Sequence, residues 1–248
     1  MMLEFAPVGY GTIGLARNGP VAVLRLQRAQ RLNAYTPEMG EDLVRAFELT
    51  AKDADLAAVV VTGEGRAFCA GADKDCFTGP PGPSGLALGA EAFVRGYARQ
   101  IRSHPKLTIA AFNGVAVGIG VTMTLPMDIR LAGAGAALKL NFAELGIVPG
   151  FGATYFLPHL VGLGQAKKLL LCEHRVDAFR ALELGLVDEV LDDAGLLERA
   201  VSLGHAAAQI KPQVRSGIKE ALNAGAEAAF EAALGLEASS SLRRGARQ

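Results

Sequence analysis

The chain has 248 residues, half of them apolar, and its 25 lysines and arginines balance 25 aspartates and glutamates to a formal net charge of zero. That length suits one large domain or two small ones with a sizeable core, and the neutral balance removes the electrostatic drive toward nucleic acid or an anionic membrane surface. Three cysteines, Cys69, Cys76 and Cys172, make no disulfide framework, and without a CxxC pair or a Cys/His quartet they offer no metal cage.

The opening segment MMLEFAPVGY lacks the basic flank and apolar run of a secretory signal. No apolar stretch approaches the ~20 residues of a membrane helix, so a cytoplasmic chain without membrane insertion is expected. Alternating apolar positions over 11–16 and 21–26 bracket Arg17-Asn18-Gly19-Pro20 and predict a β-hairpin. Thr36 as N-cap, Pro37 at the first helical position, Glu38 at the positive helix end, and Met39, Leu43 and Phe47 at helical spacing predict the first helix. The run AAVVVT (57–62) predicts a strand buried on both faces and ending at Gly63. Prolines and glycines in GPPGPSG (79–85) forbid a regular element and predict a mobile surface loop. Beyond it come a helix over 91–103, strands over 107–112 and 128–132, and helical segments over 153–171 with breaks at Pro158 and 162–164. A helix over 178–184 and a short strand over 186–190 follow, and the last fifty residues are alanine-rich and helical in pattern. The expectation is an α/β core over 1–190 and a helical C-terminal region over 191–248 with a frayed tail.

Two loops are chemically unusual, AFCAGAD (67–73) and NGVAVGIG (113–120), each following a strand. In the second, the N–H groups near Ile119 and Gly120 open a helix-compatible stretch and lack acceptors within it, which suits an anion or oxyanion. The other open reading is that Gly118 and Gly120 serve only close helix–strand packing. The order G-x-x-x-G-x-G departs from the dinucleotide fingerprint, and neither a phosphate loop nor a G-x-S-x-G elbow occurs.

At these residues the sequence resembles the crotonase superfamily, also called enoyl-CoA hydratase/isomerase. The matching segments, in the family's order, are LQRAQRLNAY (26–35), GRAFCAGAD (65–73), AAFNGVAVGIGVTMTLPMDIRLA (110–132), LGIVPGFGATYFLPHLVG (145–162) and ALELGLVDEV (181–190). The resemblance implies a spiral of ββα units, assembled as a homotrimer or homohexamer through the C-terminal region, that takes an acyl-CoA thioester as substrate or ligand and needs no metal or further cofactor. It implies two main-chain N–H donors for the thioester oxygen, belonging to Ala72 and to Ile119, which follows Gly118. The CoA-contacting loop falls on Gln30, Arg31 and Leu32, with main-chain help from Ala70 and Asp73; Arg31 as a solvated loop residue stays open beside that role.

The chain departs from the family at its acids. The two glutamates that hydratases of the family use to place and deprotonate water fall on Thr122 and Phe142, and a third acidic position, used by some isomerases and dehalogenases, falls on Gly150. A threonine hydroxyl orients a water but does not replace a carboxylate, and a phenylalanine does neither. Glu144 is the nearest substitute, two residues past Phe142 on an expected short helix, an offset that turns it away from the pocket. Phe142, Phe151, Tyr155 and Phe156 either line an apolar acyl pocket or pack in the core. Cys69 reads as an inert buried thiol and His104, before Pro105, as structural. Two outcomes stand: an enzyme needing enolate stabilisation with a mild proton relay, or a catalytically idle acyl-CoA carrier or regulator.

Overall fold

The computed structural model describes residues 3–224. Strands β1 (Ala6–Val8), β2 (Ile13–Asn18) and β3 (Val21–Leu26) form an antiparallel meander, and the β2–β3 pair closes through Gly19-Pro20 with Gly19 at φ +54°. Helix α1 (Pro37–Lys52) begins as its caps dictate: the Thr36 hydroxyl accepts the Met39 N–H at 3.4 Å, and Pro37 occupies the first turn. Met39, Leu43 and Phe47 are fully buried on its inner face. Asp42 on the same helix accepts the N–H groups of Tyr10 and Thr12, at 2.7 and 2.9 Å, and so anchors the β1–β2 turn.

Three times the chain then runs a long strand, a corner and a three-residue strand. These pairs are β4 (Ala58–Gly63) with β5 (Ala67–Cys69), β6 (Leu107–Phe112) with β7 (Val115–Val117), and β8 (Ile129–Gly133) with β9 (Ala137–Lys139). Helices follow each: α2 (Asp75–Thr78) and α3 (Ala92–Arg102), then α4 (Ile119–Thr122) between β7 and β8, then α5 (Ala153–Val161) and α6 (Leu163–Leu171). The chain continues through β10 (Arg175–Asp177), α7 (Ala178–Glu183), β11 (Glu189–Leu191), α8 (Leu196–Ala208) and α9 (Pro212–Ala224). The long strands build a seven-stranded sheet ordered β1-β2-β3-β4-β6-β8-β11, parallel from β3 onward. The short ones build a second sheet ordered β10-β9-β7-β5. Asn113 fastens one corner between the layers: its Oδ1 accepts the Gly63 N–H and its Nδ2 donates to the Gly65 carbonyl, both at 2.9 Å.

The main sheet separates two cores by simple alternation. Val59 and Val61 of β4 face the layer that holds α1, α3 and the second sheet, whereas Ala58 and Val60 face α8. Each of these valines contributes about 1.5–3 kcal/mol when fully buried, so a strand apolar on both faces belongs in the sheet's centre. The segment expected as the C-terminal region opens with α8, whose Leu196, Ala200 and Val201 pack on that second face. The polar tail expected to fray lies outside the described residues.

Three expectations shift. Pro158 does not break its helix but sits inside α5, which ends at Gly162 with φ +79°. The last strand is β11, Glu189–Leu191, rather than 186–190, because the Asp188 N–H reaches the Arg130 carbonyl only at the end of a turn. Residues 141–147 form successive turns rather than a short helix, with Gly146 N–H on Ala143 O and Ile147 N–H on Phe142 O. Among the described residues no helix is long and apolar enough to cross a membrane.

Candidate functional site

The chain after β5 runs beside residues 32–35. Ala70 N–H donates to Leu32 O at 3.0 Å, Tyr35 N–H to Gly71 O at 2.8 Å, and Asp73 N–H to Tyr35 O at 2.8 Å. In a parallel pairing, alternate residues direct their N–H and C=O groups to opposite sides. Gly71 and Asp73 therefore face Tyr35, and the N–H of Ala72 between them points the other way.

The chain after β7 supplies a matching group. Gly118 N–H is fixed on Lys139 O at 2.8 Å, and Gly118 O accepts from Val121 and Thr122 at 3.0 Å each. Ile119 is the first residue of α4, where no helical acceptor exists for its N–H. Among the described residues neither the Ala72 nor the Ile119 amide has a hydrogen-bond partner, and both residues are only half-buried.

Two glycines interlock these loops. A Cβ on Gly120 would stand 2.4 Å from Cys69 O and 2.9 Å from Cys69 Cβ, and one on Gly71, at φ +96°, would stand 3.3 Å from Val117 O. Side chains at these positions would push the two loops apart, so the glycines serve their close packing. Cys69 is fully buried beneath the loops, and burial pushes its thiol up to about 12, which keeps it protonated and inert.

The expected CoA-contacting loop forms one 3₁₀ turn, Ala29–Arg31, ending at Leu32 with φ +51°. Asn33, also left-handed at φ +54°, closes the loop: its Oδ1 accepts Arg28 N–H at 2.9 Å and its amide donates to Glu64 O and Ala67 O. Gln30 and Arg31 are exposed along a groove of about 440 Å³ shared with Gln27, Arg28, Ala29 and Glu64. Arg31 is already paired, its guanidinium 2.9 Å from Asp73 and 2.5 Å from Asp75. Asp73 is 4 % exposed and also takes Arg28 at 2.9 Å. Burial alone would raise its carboxyl, but the hydrogen bonds from Arg31 and Arg28 outweigh burial and hold it below the usual carboxylate range.

The three positions at which the family's carboxylates are expected differ in kind. Thr122 is fully buried, and its hydroxyl has no partner among the described residues. Gly150 is open: a Cβ there would meet nothing within 4 Å. Phe142 is buried and walls an apolar groove of about 330 Å³ with Ile147, Val148, Pro149, Leu163 and Leu170. Glu144 lies exposed on the turn, with its carboxylate 2.8 Å from Lys139 Nζ. The expected aromatic lining separates, since Phe151 stacks on Phe93 at 5.0 Å while Tyr155 meets Phe156 at 5.1 Å. Sequence reading missed Arg28, whose role depends on Asp73 far along the chain, and the buried pair Tyr35–Glu91, which no local pattern marks. Among the described residues no cluster of three or more His, Cys, Asp or Glu side chains forms a metal site.

Known proteins resemble this chain along most of its length. A family model described as enoyl-CoA hydratase/isomerase matches residues 16–243. The chain is 35 % identical over 221 residues to a 1,2-epoxyphenylacetyl-CoA isomerase of Escherichia coli, covering 88 % of this chain and 84 % of that one. It is 35 % identical over 227 residues to a probable enoyl-CoA hydratase of Bacillus subtilis, covering 91 % and 87 %. The crystal structure of an enoyl-CoA hydratase/isomerase from Pseudoalteromonas atlantica superposes with a TM-score of 0.84 at 28 % identity, covering 92 % of this chain and 89 % of that one.

Proposed function

The chain belongs to the enoyl-CoA hydratase/isomerase family, the crotonase superfamily, and on that premise we propose that it binds an acyl- or enoyl-CoA and polarises the thioester carbonyl between the amides of Ala72 and Ile119. The observation that carries this reading is the pair of unpartnered Ala72 and Ile119 N–H groups on interlocked loops, flanked by the engaged amides of Ala70, Asp73 and Gly118. Donors aimed at an oxygen that gains charge act mainly in the transition state, and removal of one such donor elsewhere costs about 2.7–4 kcal/mol. The relatives' names point to CoA thioesters as the substrate class. Gln27, Arg28 and Gln30 along the 3₁₀ turn are the groups we assign to the CoA moiety, with Arg31 engaging an anion only by loosening its bond to Asp75.

The chemistry we favour generates an enolate without a protein carboxylate at the three family positions: isomerisation, decarboxylation or retro-Claisen cleavage rather than efficient hydration. A general acid or base is worth about 10²–10⁴-fold, and Glu144, paired with Lys139, is poorly placed to supply it. The same observation favours a second reading, a catalytically idle acyl-CoA carrier or regulator.

Ile119→Pro separates these readings. Proline at a first helical position deletes the donor and costs no helical hydrogen bond. With a panel of enoyl- and β-oxoacyl-CoAs, wild type is expected to bind at least one thioester, lower its carbonyl stretching frequency and convert it; Ile119→Pro is expected to lose about 10²-fold or more in kcat/KM. Binding without conversion by wild type selects the idle reading. Neither binding nor a carbonyl shift rejects both.

A further inference from the structure

The first amide is held by contacts that the proposed chemistry leaves unused. The main chain of Tyr35 brackets Ala72 through its bonds to Gly71 O and from Asp73 N–H, both 2.8 Å. The ring of Tyr35 is fully buried, and its hydroxyl donates to Glu91 Oε1 at 2.7 Å. Glu91 is itself fully buried, and its other oxygen accepts the Gly89 N–H at 2.7 Å. Gly40 of α1 makes the room, since a Cβ there would stand 2.2 Å from Tyr35 Oη and 2.7 Å from Phe93 Cβ. Phe93 stacks on Tyr35 at 5.1 Å and on Phe151 at 5.0 Å, so the pair belongs to the cluster on which Phe151 rests.

A carboxylate in an apolar core is expensive unless its bonds are fully made. For packing alone, a phenylalanine at 35 and an aliphatic residue at 91 would serve the same volume. The hydrogen bond from the Tyr35 hydroxyl to the Glu91 carboxyl group, itself tied to the Gly89 N–H, fixes the direction of the phenol. Burial, followed by the hydrogen bond to Glu91, holds the Tyr35 phenol above its ordinary value, so it stays a donor throughout the working pH range.

We propose that Glu91 is a positioning residue: through Tyr35 it fixes the main chain on which Ala72 presents its N–H, and it ties that amide to Gly89, in the segment leading into α3. The inference rests on the thioester reading above. Freeing the phenol would let Tyr35 rotate and tilt the bridge at Ala72, which misaims the first donor while leaving the CoA groove unchanged.

The test uses the full-length protein and a thioester labelled with carbon-13 at its carbonyl. The carbonyl stretch of the bound thioester is recorded for wild type, Tyr35→Phe and Glu91→Gln. Wild type is expected to lower the frequency relative to free thioester, and both variants to keep only part of that shift. Where the thioester turns over, kcat is expected to fall about tenfold or more with KM nearly unchanged, since misplaced groups cost rate. The double variant is expected to be no worse than either single one, because each breaks the same connection. A folded Tyr35→Phe that retains the whole shift and kcat overturns the positioning role while the thioester reading stands. No shift in wild type rejects the thioester reading, and this inference with it. Should Glu91→Gln fail to fold by circular dichroism, Tyr35→Phe decides alone, because it keeps the ring and its packing.

Discussion

His104 shows how one buried ring sets a pH window. It is 2 % exposed; its Nδ1 lies 3.3 Å from the Lys106 N–H and its Nε2 3.2 Å from the Phe47 carbonyl. Burial first, then the positive charge of Lys219, pull its pKa down to about 4. An unfolded histidine titrates near 6.5, so as pH falls the unfolded chain takes up the proton first. Stability is therefore complete above about pH 6.5 and declines toward pH 4, by at most about 3 kcal/mol from this group. Urea unfolding at pH 7.5 and pH 5 is expected to show that loss in wild type and little of it in His104→Gln. Its structural role is legible in the sequence because Pro105 follows it at a helix end. Capping at Thr36 and Pro37 was legible for the same reason, being local chemistry. The partners of Arg31 were not: Asp73 lies 42 residues away, and nothing in a loop arginine announces which carboxylate it will meet.

Two helices show what an element-level reading reaches and misses. Gly204 lies within α8, and a Cβ there would stand 2.6 Å from Val21 Cγ2 and 3.0 Å from the Cβ of Ala58. Gly217 lies within α9 with nothing inside 4 Å. Glycine to alanine gains up to about 1 kcal/mol in an open helix, whereas crowding a packed interface costs about 1–3 kcal/mol. Chemical denaturation is expected to show Gly204→Ala net destabilised and Gly217→Ala neutral to stabilised; the reverse order would refute this packing of α8 on the sheet. The long strands β4 and β6 announced themselves as apolar runs. The second sheet escaped notice because β5, β7, β9 and β10 have three residues each, too few to show a period of two, and they exist by pairing with one another across distant segments.

For the whole molecule, the family was legible because five motifs recur in order, and the expectation of two amide donors came with it; Tyr35 and Glu91 did not, since burial creates their relation. Leu163 and Leu171 are each more than half exposed on the groove walled by Phe142. Apolar exposure of this kind is a feature of association surfaces, which makes these two residues a second place, beside the C-terminal region, at which to test association between copies of the chain. Sedimentation is expected to give three or six chains, and Leu163→Glu with Leu171→Glu to yield smaller species that still fold. One property of the interlocked loops bears on how such a protein is best interrogated. Truncating side chains one at a time, the usual survey, would pass over the proposed pair of donors, because there is no side chain to remove: one belongs to an alanine, and the other needs nothing beyond its peptide nitrogen. Loss of the proposed thioester polarisation would come from added atoms, a methyl group at Gly120 or a ring closing on Ile119, so damage to this pair is sought by enlargement rather than by deletion.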